Sequence, residues 1–335
     1  MDKVISYFFS REGEVHMKKK SVKGSSSQVK SKKITRKTVR KKADGSILTQ
    51  RAAIKELRSE ESIHPRRVLE LNKRIHGNSA KKQIAIDMLE RYTGHEIKDF
   101  QSQIILTNFH FYVEQFNLVF KDAKHTKGSA FQASSSKKAK VTIVEFGVGS
   151  AMAALIGELI SVAHPKAVLF LGLCGAVHRS LKVGDFILPI AAIRAEGVSN
   201  HFLPPQVPAL PTFKVQKFVS QILVEHNYDY RTGTIHSTDF RFWEFDHRFK
   251  DNLIDERVLA VEMECAALFT TCFVSKVNIG ALLLVSDCPM QKGGIKTKKS
   301  ASEVFKKYTS LHIELGIQAM QEIATRGEKI RHYTW

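Results

Sequence analysis

The chain of 335 residues carries a formal net charge of +19, and 43% of its residues are hydrophobic. This length suffices for one large domain or two ordinary ones, with enough apolar residues for a sizeable core. The longest apolar candidates, such as 167–177, fall well short of the ~20 residues that span a bilayer, so a membrane-spanning helix is excluded.

The N-terminal sequence and the cysteines both indicate a cytoplasmic protein. Residues 1–14 lack the apolar core and the small-residue cleavage site of a secretory signal. The cysteines show neither a CxxC pair nor metal-type spacing with histidine, so we expect reduced, buried thiols and no metal site. They are Cys174, Cys265, Cys272 and Cys288.

The positive charge is concentrated in the N-terminal part of the chain. Residues 1–82 contain 23 Lys/Arg and 8 Asp/Glu, a net charge of +15, whereas the remaining residues carry 29 and 25, a net charge of +4. The segment 17–42 has 12 basic residues and no acid, a composition that cannot form a core. We predict a disordered basic tail over 1–48, which is either a contact for nucleic acid or another polyanion, or a solvated extension.

A helical N-terminal extension is predicted over 49–84, and its helix continues to a C-terminal cap at Gly94. From 85 to 330 we predict a single domain in which apolar strands alternate with amphipathic helices. The predicted strands are 103–109, 140–146, 167–172, 185–193, 230–238, 258–263 and 278–287. The predicted helices are 149–164, 213–227, 264–276 and 302–326. This alternation is typical of an α/β fold with a mixed, largely parallel central sheet flanked by helices.

Two of the strand ends are rich in glycine. Ligands of α/β sheets bind beyond the carboxyl ends of the strands, so these ends are candidate sites. In EFGVGSAMAA (145–154), the turn at Gly149 and Ser150 offers backbone N–H groups to an anion or hydroxyl, unless it serves only to pack the helix on the strand. In FLGLCGAV (170–177), Gly172 and Gly175 leave room for a flat ligand or form a close-packed turn.

Carboxylates stand at two further strand ends. In LAVEMECAAL (259–268), Glu264 lies at a helix start and either accepts hydrogen bonds from a vicinal diol or caps the helix, while Glu262 points toward another partner. In ALLLVSDCPM (281–290), Asp287 is a candidate general acid or a turn residue before Pro289. Together the four strand ends supply the groups needed to cleave the glycosidic bond of a purine nucleoside, which passes through a cationic sugar and requires a protonated base.

The set GVGSAMAAL, LGLCGAV, VEMECAA and VSD resembles the nucleoside phosphorylase/nucleosidase superfamily. The stretches IILTNFHFYVEQF, GTIHSTDFRFWEFD and GALLLVSDCPMQKGG are similar to the short bacterial form of the AMP nucleosidases, and the likeness covers roughly 85–325. The resemblance implies that 85–330 is a catalytic domain that hydrolyses AMP to adenine and ribose 5-phosphate. It also implies a homo-oligomer, by analogy a hexamer. We expect no metal or organic cofactor, because the sequence offers no ligand cluster.

The resemblance also implies the roles of individual residues. Asp287 protonates the purine, and Met263 and Glu264 bind the ribose. The residues expected at the base are Phe242, Trp243, Cys174 and Gly175, with one of the two aromatic rings stacked on the purine. The residues expected at phosphate or another anion are Gly149, Ser150, Arg194, Arg241 and Lys296.

One departure from the family pattern favours water over phosphate as the nucleophile. Where the phosphorylases carry a GDPxR-like phosphate loop, this chain reads LTNFHF (106–111), with neither the glycine nor the arginine. The alternatives are a purine nucleoside phosphorylase, a nucleosidase of the methylthioadenosine type or, more remotely, a nucleic-acid-binding protein that acts through its basic tail. The residue that activates water is not evident from the sequence.

Overall fold

The computed structural model describes residues 79–326. The predicted basic tail and most of the predicted helical extension therefore lie outside the described residues. The helices are α1 (Ser79–Thr93), α2 (His110–Val119), α3 (Ser150–Leu159), α4 (Phe213–Glu225), α5 (His247–Asp255), α6 (Cys265–Val274) and α7 (Lys298–Arg326). The strands are β1 (Gln103–Thr107), β2 (Lys124–Lys127), β3 (Gln132–Ser136), β4 (Val141–Glu145), β5 (Ala167–Ala176), β6 (Phe186–Ala195), β7 (Tyr230–Thr238), β8 (Ala260–Glu262) and β9 (Ile279–Asp287).

The strands of the described range form one mixed sheet in the order β2-β3-β4-β1-β5-β8-β7-β6-β9. The pairs β4–β1, β1–β5 and β5–β9 are parallel, so these four strands end at the same edge. Strand β9 pairs with β6 as well as with β5, and β5, β8, β7, β6 and β9 therefore close into a ring. The predicted α/β fold with a mixed, largely parallel sheet is confirmed.

The central strands are buried on both faces, which explains their nearly continuous apolar sequences. Along β1, Ile104 and Leu106 pack in a core layer with α3 and α6, whereas Ile105 packs in a second layer with α2, α4 and α7. The alternation follows from the period of two residues of a strand. Across the described residues, no helix combines the length and the apolar character that crossing a membrane requires.

Helix α1 ends as the sequence predicts. Gly94 has a φ of +67°, and its N–H donates a 2.7 Å hydrogen bond to the carbonyl of Glu90. Glycine is favoured here because a Cβ penalises this left-handed conformation.

The hairpin of β2 and β3 was not predicted, since its sequences KHTK and QASSS are polar. Its buried serines are satisfied by side chains from neighbouring segments: Ser135 lies 2.8 Å from Nε2 of His95, and Ser136 donates to Asp122 at 3.0 Å. Helices α2 and α5 were also missed, and β5 continues four residues beyond the predicted end, to Ala176.

Candidate active site

A cleft of about 240 Å³ opens at the edge where β1, β5 and β9 end. The wall formed by the ends of these three strands includes Asn108, Phe109, Cys174, Gly175, Ser286 and Asp287. The lining also includes Arg241, Trp243 and Glu244, which follow β7, together with Val261, Met263 and Glu264. The cleft thus brings together side chains from segments far apart in the sequence, including both carboxylates predicted at strand ends.

Glu262 anchors the start of helix α6. Its Oε2 accepts the backbone N–H groups of Glu264 at 2.8 Å and Cys265 at 2.7 Å, and its Oε1 accepts the hydroxyl of Ser237. The hydroxyl of Ser237 in turn accepts the N–H of Ala266 at 2.9 Å. Glu262 is therefore the carboxylate that satisfies the unpaired N–H groups of the helix, as a capping residue does.

Glu264 precedes α6 but makes no side-chain capping bond to it. Its Oε1 instead accepts the backbone N–H of Gly149 at 2.6 Å. Burial and the neighbouring charge of Glu262 raise the pKa of Glu264 to about 8, while hydrogen bonds from Gly149, Met263 and Asn108 oppose the rise. A buried carboxyl with so high a pKa at the edge of a cleft is typical of a functional group.

Asp287 is the last residue of β9 and is buried at the base of the cleft. Its Oδ1 accepts the hydroxyl of Ser286 at 2.7 Å and lies 3.6 Å from Nζ of Lys296. Ser286 also donates to the carbonyl of Cys174 at 3.1 Å, which ties the carboxyl to β5. The side chain is therefore held in place from two strands.

Gly175 leaves the space in front of Asp287 open. A Cβ at this position would lie 3.1 Å from Cγ of Pro289 and 3.7 Å from Oδ2 of Asp287. Gly175 pairs with Val261 on one side and with Asp287 on the other, so it lies between these two residues in the sheet. Cys174 also lines the cleft, and burial raises its pKa, which keeps the thiol protonated.

The two candidate stacking rings occupy different places. Trp243 lines the cleft, is 5% exposed and packs with Phe249 at a ring-centroid distance of 5.8 Å. Phe242 is 66% exposed and is absent from the cleft lining. Of the two aromatic residues, Trp243 is therefore placed to contact a ligand.

Arg194, which the sequence analysis places at an anion, is absent from the cleft lining. Its Nε donates to the hydroxyl of Ser199 at 2.9 Å, and its guanidinium nitrogens donate to the carbonyls of Leu203 and Val207, both at 2.8 Å. These bonds fix the loop that follows β6. The guanidinium therefore has a structural role, because its N–H groups are bonded within this loop.

Among residues 79–326, the cations that line the cleft are Arg241 and Lys296, and each lies beside a carboxylate. Nη1 of Arg241 donates to Oε1 of Glu244 at 2.7 Å, and Lys296 stands next to Asp287. Gly149 and Ser150 are absent from the lining, and the N–H of Gly149 is directed to Glu264. The glycine turn thus positions the glutamate in this structure.

Asn108 and Glu244 are among the lining residues that had no predicted role. Asn108 follows β1 and donates from Nδ2 to the carbonyl of Gly147 at 2.9 Å, which links the ends of β1 and β4. Glu244 is 5% exposed, and its residue type alone gave no signal among the aromatic residues of STDFRFWEFD. Both residues follow strands of the sheet, and this position is the feature of the sequence that could have identified them.

Residues 93–315 match the family model described as the phosphorylase superfamily. The chain is 26% identical over 301 residues to AMP nucleosidase of Escherichia coli K12, a match that covers 76% of this chain and 62% of that enzyme. It therefore spans less than two thirds of the length of this relative. A 5′-methylthioadenosine/S-adenosylhomocysteine nucleosidase of Staphylococcus haemolyticus is 27% identical over 180 residues, covering 51% of this chain and 79% of that enzyme.

Solved structures share the fold. AMP nucleosidase from Bacteroides thetaiotaomicron superposes with a TM-score of 0.63 at 39% identity, covering 73% of this chain and 99% of that one. Purine nucleoside phosphorylase from Toxoplasma gondii superposes with a TM-score of 0.61 at 15% identity, covering 69% of this chain and 95% of that one. The second likeness concerns the fold alone.

Proposed function

Because this chain belongs to the phosphorylase superfamily, we propose that it hydrolyses the N-glycosidic bond of AMP to adenine and ribose 5-phosphate. The observation that carries the proposal is the convergence of Glu264 and Asp287 on one cleft of about 240 Å³. Cleavage of a purine nucleotide requires two such groups, one at the sugar and one at the base.

Asp287 is proposed to donate a proton to N7 of the purine, because a protonated base is a better leaving group. Glu264 accepts hydrogen bonds from the 2′ and 3′ hydroxyls, and its negative charge stabilises the cationic sugar of the transition state. Met263 packs against the ribose, and Trp243 contacts the base. Gly175 leaves space for the base beside Asp287, and Cys174 forms part of the same wall.

Water is proposed as the nucleophile. Asn108 and Phe109 line the cleft at the end of β1, where phosphorylases carry their phosphate loop, and neither residue supplies a positive charge. A phosphate dianion at this position needs cations or several N–H donors. The amide of Asn108 is a neutral group that can orient a water molecule.

AMP is favoured over unphosphorylated nucleosides by the 39% identity to the Bacteroides AMP nucleosidase, of which this chain covers 99%. Arg241 is the proposed contact of the 5′-phosphate, with Lys296 as the second cation of the cleft. Because Arg241 is already paired with Glu244, phosphate would share its guanidinium with that carboxylate.

The test compares four incubations: AMP or adenosine, each with and without inorganic phosphate, with free adenine as the measured product. We expect adenine from AMP at a rate that does not depend on phosphate, and little from adenosine. A requirement for phosphate would indicate a phosphorylase instead. Equal or faster cleavage of adenosine would indicate a nucleosidase for unphosphorylated substrates.

Four further properties are part of the proposal. The protein is cytoplasmic and assembles into a homo-oligomer, by analogy a hexamer, which sedimentation of the full chain would test. Residues 85–330 form the catalytic domain, consistent with the family match over 93–315. A role of residues 1–48 in binding nucleic acid requires retention on RNA or DNA at moderate salt that is lost when this segment is deleted.

A further inference from the structure

Glu244 is a buried carboxylate in the cleft wall whose hydrogen bonding is incomplete. The residue is 5% exposed and lines the same cleft as Asp287 and Glu264. Its Oε1 accepts a hydrogen bond from Arg241 at 2.7 Å, whereas Oε2 is buried and has no partner within residues 79–326. An unsatisfied buried carboxylate oxygen is costly, and such an atom in a ligand site indicates a donor on the ligand.

The hydrogen-bond donors of AMP limit the substrate groups that can bind to Oε2 of Glu244. At neutral pH the phosphate and the ring nitrogens of AMP accept hydrogen bonds, and its donors are the two ribose hydroxyls and the exocyclic 6-amino group. The proposed function assigns the hydroxyls to Glu264. Asp287 is assigned to N7, and the oxygens of Glu262 are bonded to Ser237 and the start of α6. The amino group therefore remains for Glu244, whose neighbour Trp243 is the proposed contact of the base.

We propose that Glu244 determines the specificity for 6-aminopurines by accepting a hydrogen bond from the exocyclic amine at its Oε2. This inference rests on the proposed function and names the base that the same site selects. A 6-oxopurine has an oxygen acceptor in place of the amine. This oxygen and Oε2 of Glu244 would repel each other. A site built to pair with a donor discriminates strongly against an analogue that lacks it, because its own buried group is left unpaired.

The hydrogen bond between the 6-amino group and Glu244 also becomes stronger during the reaction. Protonation of adenine at N7 spreads positive charge onto the 6-amino group, which makes it a stronger donor to a carboxylate. The bond is then stronger in the transition state than in the bound substrate, and such bonds increase kcat. Removing the carboxylate charge should accordingly lower kcat for AMP more than it raises KM.

The experiment measures kcat/KM of wild type and Glu244→Gln for AMP, IMP and purine riboside 5′-monophosphate, which has hydrogen in place of the amine. We expect wild type to prefer AMP, and Glu244→Gln to reduce the AMP/IMP ratio at least roughly tenfold. The rate with purine riboside 5′-monophosphate should change little, because this substrate has no amine to lose. That third substrate reports on folding and on general damage to the site.

Arg241→Gln is the matched control, since it removes the other half of the ion pair and keeps Glu244. If it reproduces the change in the AMP/IMP ratio, Glu244 acts only through Arg241 and the inference is overturned. An equal loss for all three nucleotides in Glu244→Gln would likewise overturn it. Failure of wild type to release adenine from AMP is a different result, which refutes the proposed function and with it this inference.

Discussion

Oε2 of Glu262 accepts a 2.8 Å hydrogen bond from the backbone N–H of Glu264, so one carboxylate of the pair fixes the backbone of the other. Glu262 accepts N–H groups at the start of α6, whereas Glu264 accepts the N–H of Gly149 at the cleft. Two acidic residues in an apolar run thus have separate tasks. Burial raises the pKa of both carboxyls, and hydrogen bonds from Ser237 and from the backbone N–H groups of Glu264 and Cys265 oppose the rise at Glu262.

The raised pKa of Glu264 predicts the pH dependence of activity. With a pKa of about 8 in the free protein, the fraction of the diol-binding carboxylate form increases as the pH rises through this value. We therefore expect kcat/KM for AMP to rise roughly tenfold per pH unit below about 8 and then level off. Glu264→Gln should be strongly impaired and should lack this rise, since its amide does not titrate.

Rates measured from about pH 6 to 9 provide the test, with the exposed Glu114→Gln as the matched control. The control should retain the wild-type profile. A flat wild-type profile, or the same rise in Glu264→Gln, would show that another group controls the activity.

Asp287→Asn should lower kcat by roughly a hundredfold to ten-thousandfold, the range typical of removing a general acid, with little change in KM. Asparagine keeps the size of the side chain and its contact with Ser286 but cannot supply the proton. Adenine release at saturating AMP measures the effect, and the exposed Asp251→Asn serves as the control. Activity of Asp287→Asn within threefold of wild type would remove Asp287 from the mechanism.

Gly157 sets the spacing of the two helices that follow Gly149 and Glu264. A Cβ on Gly157 in α3 would overlap Oγ1 of Thr271 in α6, so Gly157→Ala should destabilise the fold by about 1–3 kcal/mol. Truncating the opposing side chain in Gly157→Ala/Thr271→Ala should recover part of this loss. Urea unfolding of the two variants and of Thr271→Ala measures the coupling. Strict additivity of the two changes would contradict the contact.

His312 predicts how stability depends on pH. The imidazole is buried, with Nδ1 2.8 Å from the hydroxyl of Tyr112 and Nε2 3.0 Å from the carbonyl of Leu282, and burial lowers its pKa to about 4. The folded protein therefore binds this proton less readily than the unfolded chain, whose histidine has a pKa near 6.5. The contribution is complete above about pH 6.5 and is lost as the pH falls toward 4, by about 3 kcal/mol in total.

His312→Gln should be less stable at neutral pH and should lose this part of the decline in acid, because glutamine does not titrate. The free energy of unfolding measured at several pH values tests the prediction, and a His201→Gln variant, altered at an exposed histidine, is the control. An unchanged decline in His312→Gln would contradict it.

The sequence was sufficient to identify strand ends that line the cleft. Apolar runs that stop at Asp287 and Glu264 are visible without a structure, since burial on both faces of a central strand requires such runs. The glycines beside them were equally visible. What could not be predicted was which backbone group each residue meets, as when the N–H of Gly149 binds Glu264.

Arg194 and Glu244 show why other contacts of these residues could not be predicted from the sequence. Nothing in the residue type of Arg194 indicates that carbonyls of the following loop occupy its guanidinium. Glu244 lies in a short helical turn, Trp243–Phe245, whose orientation depends on packing against α5. The closed ring of strands was also missed, because β9 pairs with β6 through contacts that no local pattern encodes.

The most direct test of the central claim is ³¹P NMR of the full-length protein with AMP in the presence of inorganic phosphate. We predict that ribose 5-phosphate appears as the AMP signal declines, while the amount of inorganic phosphate stays constant. Consumption of inorganic phosphate with formation of ribose 1,5-bisphosphate would contradict hydrolysis. An unchanged AMP signal would contradict the proposed substrate.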